Sequence, residues 1–318
     1  MTALRRLAVI TTAATYVLVV VGGTVRATGS GLGCPDWPRC HGSLVPPLEY
    51  HALIEYSHRL IASVVIILTL VLAGLAVAGR RRIDPRARRL AVATVPVVFS
   101  QALLGALVVA LELHAESVVA HLLVAMTLFA ILISLVVETT PSVPAPGAAA
   151  SADRGFARAI TWVTVATLGL MLLGSYVSGR NAGLAFPDWP LFDGRLIPAE
   201  HGLVPDLHFA HRLLAAGVAM AVFVLARTVR RRPQAGPVTV LVRIASAVIG
   251  MEILVGAGNV WTRLSPVTRT AHLALGALVF GVLFAATRLA WRLPAPAGAR
   301  PTSGPGPEPA RTSVGSWA

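Results

Sequence analysis

Eight apolar runs of about twenty residues, separated by polar connections, lie near positions 7–27, 52–78, 90–111, 117–137, 158–178, 208–228, 238–260 and 270–290. A helix rises about 1.5 Å per residue, so roughly 20 apolar residues cross a hydrocarbon core of about 30 Å. The pattern therefore predicts an all-α polytopic membrane protein with eight transmembrane helices. The connections differ in charge. Arg80, Arg81, Arg82, Arg86, Arg88 and Arg89 fill the second, Arg227, Arg230, Arg231 and Arg232 fill the sixth, and Arg5 and Arg6 precede the first run. Arginine bias of this kind marks the cytoplasmic side, so both termini are expected inside and the longer connections, 28–50 and 179–207, outside. The first run lacks a clear small-residue cleavage site, so no cleavable signal peptide is expected.

The pattern occurs twice. Pro35-Asp36-Trp37-Pro38 returns as Pro187-Asp188-Trp189-Pro190 at an offset of 152, His58 returns as His211 at 153, and His121 as His272 at 151. Each half holds an even number of spans and keeps the same orientation. Two pseudo-symmetric four-helix bundles, related by an axis along the membrane normal, are expected. The expected divisions are a first half at 1–138, a linker rich in Pro, Ala and Ser at 139–157, a second half at 158–293 and a disordered tail at 294–318.

Composition narrows the class further. With 55% hydrophobic and 13% charged residues, a water-soluble globule would lack the polar surface to cover itself. The net charge of +13 comes from 27 basic and 14 acidic residues, and every basic residue is Arg. These arginines sit in clusters between runs rather than along one face, which argues against a nucleic-acid partner. A multi-pass protein of the cell membrane is expected.

Polar groups inside such runs are costly, and they mark candidate sites. His58, His121, His211 and His272 lie inside the second, fourth, sixth and eighth runs, near their outward ends, so the four imidazoles share one depth. Two imidazoles on facing helices are what six-coordinate haem iron needs, and a bundle core is where such a cofactor sits. Zinc fits less well, because two His per half leave its ligand set incomplete. Arg59 and Arg212 each follow a candidate ligand. They suit the haem propionates, which Arg can fork, and equally suit a side chain reaching for the interface. Glu55, one turn before His58, could accept protons during oxidation of something bound there; it could equally cap the helix. In the second half its place is taken by His208. Cys34 and Cys40, the only cysteines, fall in an outward connection where a disulfide is favoured, as a staple or with a redox role. His41, His51, His114 and His201 lie in or beside connections and are expected to be solvated or interfacial.

Taken together, Gly31-Leu32-Gly33-Cys34-Pro35-Asp36-Trp37-Pro38, Glu55-Tyr56-Ser57-His58-Arg59, His121, Pro187-Asp188-Trp189-Pro190, His211-Arg212 and His272 resemble the haem A synthase family. The resemblance runs from the first span to the eighth. It implies an oxidoreductase that converts haem O to haem A for cytochrome oxidase, oxidising a porphyrin methyl to a formyl group through hydroxylated intermediates. It further implies that His211 and His272 ligate a resident haem b, that His58 and His121 face the substrate haem, that Glu55 is the acid/base residue, and that Cys34 and Cys40 form an extracytoplasmic disulfide. Haem O synthase and an electron-transfer protein are implied as partners, and a homo-oligomer stays open. Two other functions fit the duplicated pattern. One is a di-haem b-type electron-transfer protein exchanging electrons with quinone, for which the Glu55/His208 asymmetry has no use. The other is a transporter of parallel repeats, which has little use for four matched imidazoles.

Overall fold

The structure, a computed structural model, describes residues 3–141, 154–231 and 236–292. Its elements are α1 (Ala3–Ala27), α2 (Tyr50–Ala78), α3 (Pro85–Ala110), α4 (Ala115–Thr139), α5 (Arg154–Gly179), α6 (Leu203–Arg231), α7 (Gly236–Trp261) and α8 (Pro266–Arg292). Among the described residues the only β structure is two isolated bridges, Cys40 with Ser43 and Phe192 with Arg195. Every helix is long and apolar enough to cross a bilayer. Ile67, Leu103, Leu213 and Met220 expose more than half their surface to the outside of the bundle, a pattern suited to lipid rather than water.

Local chemistry sets the helix ends. Asp84 caps α3, its Oδ1 accepting from the N–H groups of Arg86 at 2.7 Å and Ala87 at 3.4 Å, and Pro85 takes the first helical position, where no N–H is needed. Helix α6 starts at Leu203, earlier than the expected 208, with Asp206 in the first turn where the helix N-terminus favours a carboxylate. Helix α5 starts at Arg154, inside the segment expected as linker. Most of that linker, and the tail, lie outside the described residues.

Helices α1 to α4 pack in a ring, each against the next and α4 against α1, and α5 to α8 do the same. The rings meet through α1 with α8, α4 with α5, and α4 with α8. Exchanging each helix for its equivalent in the other ring returns the same set of contacts. Each ring has its own apolar core: Val65, Leu72, Leu128 and Leu132 in the first, Val222, Val229, Val238 and Leu283 in the second. A third cluster, with Met126, Phe129, Met171 and Phe280, lies between them.

Lipid tails are as apolar as these side chains, so fit and polar contacts, more than water exclusion, hold the rings together. A Cβ on Gly281 would lie 2.8 Å from Phe129 Cε1, and one on Gly23 would lie 2.6 Å from Leu273 Cδ2, so glycine at both places lets the rings approach. Tyr16 Oη donates to the Ala274 carbonyl at 3.0 Å, and Arg288 pairs with Glu138 at 2.9 Å. At the other end Arg269 of α8 donates to Ala27 O of α1 at 3.2 Å and, within its own ring, to Ser178 Oγ of α5 at 3.1 Å.

Candidate functional site

The two long connections between α1 and α2 and between α5 and α6 fold alike. Asp36 accepts from the N–H groups of His41 at 2.6 Å and Gly42 at 2.8 Å; Asp188 accepts from those of Asp193 and Gly194, both at 2.8 Å. The Gly42 and His41 amides hold the Asp36 carboxyl below its usual range, as those of Gly194 and Asp193 hold Asp188. His41, Gly42, Asp193 and Gly194 all take positive φ, which brings their N–H groups round to one carboxylate. The Trp37–Pro38 and Trp189–Pro190 peptides are both cis. Trp189 meets Trp261 edge to face at 5.7 Å, while Trp37 stays half exposed.

An arginine fastens each connection to the following helix. Arg59 Nη1 donates to the carbonyls of Asp36 at 2.7 Å and Arg39 at 2.8 Å; its Nη2 donates to Cys34 O at 2.7 Å and Glu55 Oε1 at 2.5 Å. Arg212 does the same with Asp188 O at 2.9 Å, Leu191 O at 3.0 Å and Phe186 O at 3.0 Å, and its Nε donates to His208 Nε2 at 3.0 Å. Each guanidinium thus has four of its five donors engaged. Both arginines were expected at the haem propionates or the interface; here their donors hold loop carbonyls and the neighbouring Glu55 or His208.

Glu55 and His208 are equivalent in this clamp and nearly fully buried, 4% and 5% exposed. Glu55 Oε2 accepts from the Cys34 N–H at 2.8 Å, and the Phe186 nitrogen lies 3.3 Å from His208 Nδ1; with Nε2 accepting from Arg212, the neutral imidazole carries its proton on Nδ1, so this second approach is a contact rather than a hydrogen bond. Carboxylate and imidazole therefore share one anchoring job, and only the first half has a carboxylate there. Cys34 and Cys40 form a disulfide with both residues fully buried, against Ala52 and Tyr56. Phe186 and Phe192 stand in the same places in the second half and meet edge to face at 5.1 Å. A buried bond with an aromatic pair as its counterpart fits the staple, since a redox role needs exposure.

His58 and His211 sit eight residues into α2 and α6, and His121 and His272 six residues into α4 and α8, on the side of the two long connections. His211 and His272 face each other with ring centroids 6.3 Å apart and planes at 80°. His58 of α2 and His121 of α4 occupy the matching places in the first ring. Each imidazole rests on a glycine of the preceding helix. A Cβ would lie 3.1 Å from His58 Cε1 if built on Gly22, 3.2 Å from His121 Cε1 on Gly105, 2.9 Å from His211 Cε1 on Gly174 and 3.3 Å from His272 Cε1 on Gly256. These four cradles escape a reading of composition and motif, although Gly22 and Gly174 are 152 apart and Gly105 and Gly256 are 151 apart, as the histidines nearly are.

One turn before the later glycine of each half lies a further polar residue. Gln101 Nε2 is 3.1 Å from His121 Nε2. Glu252 Oε1 is 3.0 Å from His272 Nδ1, an ion-pair contact off hydrogen-bond geometry, and its Oε2 is buried without a partner. Neither side chain belongs to a repeated motif, although a lone acid deep in an apolar run is itself a signal. The Nδ1 atoms of His58, His121 and His211 are likewise buried and unpartnered.

The imidazole pairs suit an iron porphyrin. Among the described residues no cluster of three or more His, Cys, Asp or Glu side chains could hold a bare metal ion. A metal arriving with four porphyrin nitrogens needs only two imidazoles. The 6.3 Å between the His211 and His272 centroids would leave room for a metal held by both imidazoles.

The family model described as "Cytochrome oxidase assembly protein" matches residues 5–284. A protein named "Heme A synthase" from Symbiobacterium thermophilum is 31% identical over 291 residues, covering 89% of this chain and 94% of its own. Proteins of the same name from Bacillus pumilus and Geobacillus kaustophilus are each 30% identical, over 88% and 86% of this chain and 93% and 87% of theirs.

Proposed function

The chain belongs to the cytochrome oxidase assembly protein family, and from that membership we infer that it is a haem A synthase, a multi-pass membrane enzyme of haem A biosynthesis acting on haem O. In the finer proposal it oxidises a methyl group of haem O to a formyl group through hydroxylated intermediates. The observation that carries this reading is the pair of equivalent bis-imidazole sites that differ in the residues around them. The di-haem electron-transfer alternative has no support among the relatives' names.

His211 and His272, fixed by the Gly174 and Gly256 cradles, are proposed to hold a resident haem b, and His58 and His121 to hold the substrate haem. Haem iron supplies the oxidation of a strong C–H bond that side chains alone cannot perform. The chain's own residues bind, orient and move protons. Arg59 and the Cys34 N–H fix the Glu55 carboxylate one turn outward of His58. From there Glu55 is proposed to accept the protons released as the methyl is oxidised, a role His208 does not take in the second half. A haem O synthase as the supplier of substrate and an electron-transfer partner complete the proposal.

The test is to purify the full chain, extract its haems and separate them by chromatography and mass spectrometry. Haem b together with haem O, hydroxylated haem or haem A is the expected result. Two equivalents of haem b and no oxidised product, even with haem O supplied, would overturn the proposal.

A further inference from the structure

Gln101 and Glu252 occupy one register, each four residues before a cradle glycine and 151 residues apart. They approach their imidazoles on opposite nitrogens. Glu252 sits at Nδ1 of His272 and leaves Nε2 for iron, whereas Gln101 covers Nε2 of His121 itself. Neither side chain has a second use: Glu252 Oε2 and Gln101 Oε1 are both buried without partners among the described residues.

We propose that this pair sets how firmly each half keeps its haem: Glu252 supports His272 from behind and makes the second-half haem resident, and Gln101 occupies the nitrogen that the substrate iron must take, so the first-half haem binds by displacing an amide. The proposal rests on the assignment of the two haems above.

The physics differs in the two halves. A carboxylate behind a ligating imidazole fixes the ring's tautomer and orientation and strengthens its donation to the metal; losing such a partner typically costs 10–100-fold in metal affinity. The added negative charge also favours ferric over ferrous iron and so lowers the haem's potential. At His121, entry of iron requires the Gln101 contact to break, which weakens binding roughly two- to tenfold while giving the empty site a closed resting state. Glu252 is thus a positioning residue acting through His272, and Gln101 a placeholder acting on His121.

The experiment uses the full chain in lipid nanodiscs, with its own haem and with haem O added, and needs no turnover. Redox titration followed in the visible bands gives the midpoint of the second-half haem, and transfer of haem to excess apomyoglobin gives release rates. Glu252→Gln should keep the bis-imidazole spectrum, raise the midpoint and speed release about tenfold or more; a tenfold change in the redox equilibrium is about 59 mV. Gln101→Leu, which removes the amide that iron must displace, should slow release of the first-half haem roughly two- to tenfold. A packing role alone would leave the midpoint where it was, and an unchanged midpoint and release rate with an intact spectrum overturns the proposal. Should Glu252→Gln fail to fold, Gln101→Leu decides: unchanged release of haem O would be decisive against it. A wild-type protein without a haem that depends on His211 and His272 would instead sink the assignment on which the proposal rests.

Discussion

Replacing Gly174 by alanine should drive the haem from between His211 and His272 while leaving the helices folded. The new Cβ would stand 2.9 Å from His211 Cε1, with Nδ1 at 3.4 Å and Nε2 at 3.7 Å. Carbon atoms settle at about 3.5 Å or more, so the ring must retreat by about 0.6 Å. Ligand–metal distances tolerate about 0.2 Å, so the imidazole leaves its bonding position. The backbone gains from the same change: alanine is better in a helix by about 1 kcal/mol, which offsets part of an overpacking cost of about 1–3 kcal/mol. Alanine at Gly256, with its nearest ring atom at 3.3 Å, asks for a far smaller retreat, and at Gly217 the new carbon meets nothing within 4 Å. The assay is haem content per polypeptide, the low-spin spectrum and thermal unfolding in detergent. The expected order of haem loss is Gly174→Ala well ahead of Gly256→Ala, with Gly217→Ala fully loaded. Wild-type loading and spectrum in Gly174→Ala would refute the cradle.

Glu55→Gln should keep the second-half haem spectrum and lower product formation by about 10²–10⁴-fold, the usual worth of a positioned proton acceptor; product at the normal rate would remove Glu55 from the chemistry. Cys34→Ala with Cys40→Ala should destabilise the first outer connection by about 2 kcal/mol, the chain-entropy worth of so short a loop. Cys34→Phe with Cys40→Phe, copying Phe186 and Phe192, should recover about 0.5–1.5 kcal/mol of that; a phenylalanine pair no more protease-resistant than the alanine pair would sink the equivalence. Because backbone amides hold Asp36 below the ordinary carboxylate range, its support is fully present above the unfolded value of about 4 and is lost only as pH falls through the lower folded value. Protection of that loop from hydrogen exchange, taken relative to the intrinsic rate at each pH, should therefore stay flat from neutral pH to about 4 in the wild type, whereas Asp36→Asn should lower it throughout; lowered protection of the wild type already at pH 5 would contradict this.

The eight spans were legible because membrane-length apolar runs leave little choice of structure, and the repeat because Pro-Asp-Trp-Pro and the histidines recur at nearly fixed spacing. Helix starts were less so: Leu203 to Leu207 are mixed in polarity, yet they belong to α6. The partners that Arg59 and Arg212 hold in the structure could not be read from the sequence. Their main partners are backbone carbonyls twenty or more residues away, and a carbonyl has no sequence identity to read. The cradle glycines look like ordinary small residues in an apolar run until the imidazole beside each is seen. Glu252 was readable in principle, as a lone acid within α7, but which nitrogen of His272 it faces depends on packing between α7 and α8.

The contact between α4 and α8 has a consequence for how the halves differ. Two separate four-helix chains joined through their fourth helices would share an isologous contact, with every substitution made twice. Covalent continuity removes that tie. Glutamate at 55 can then face histidine at 208, and an amide at 101 can face an acid at 252, without either choice being imposed on the other copy. A gene encoding only one half would have to give up one member of each pair.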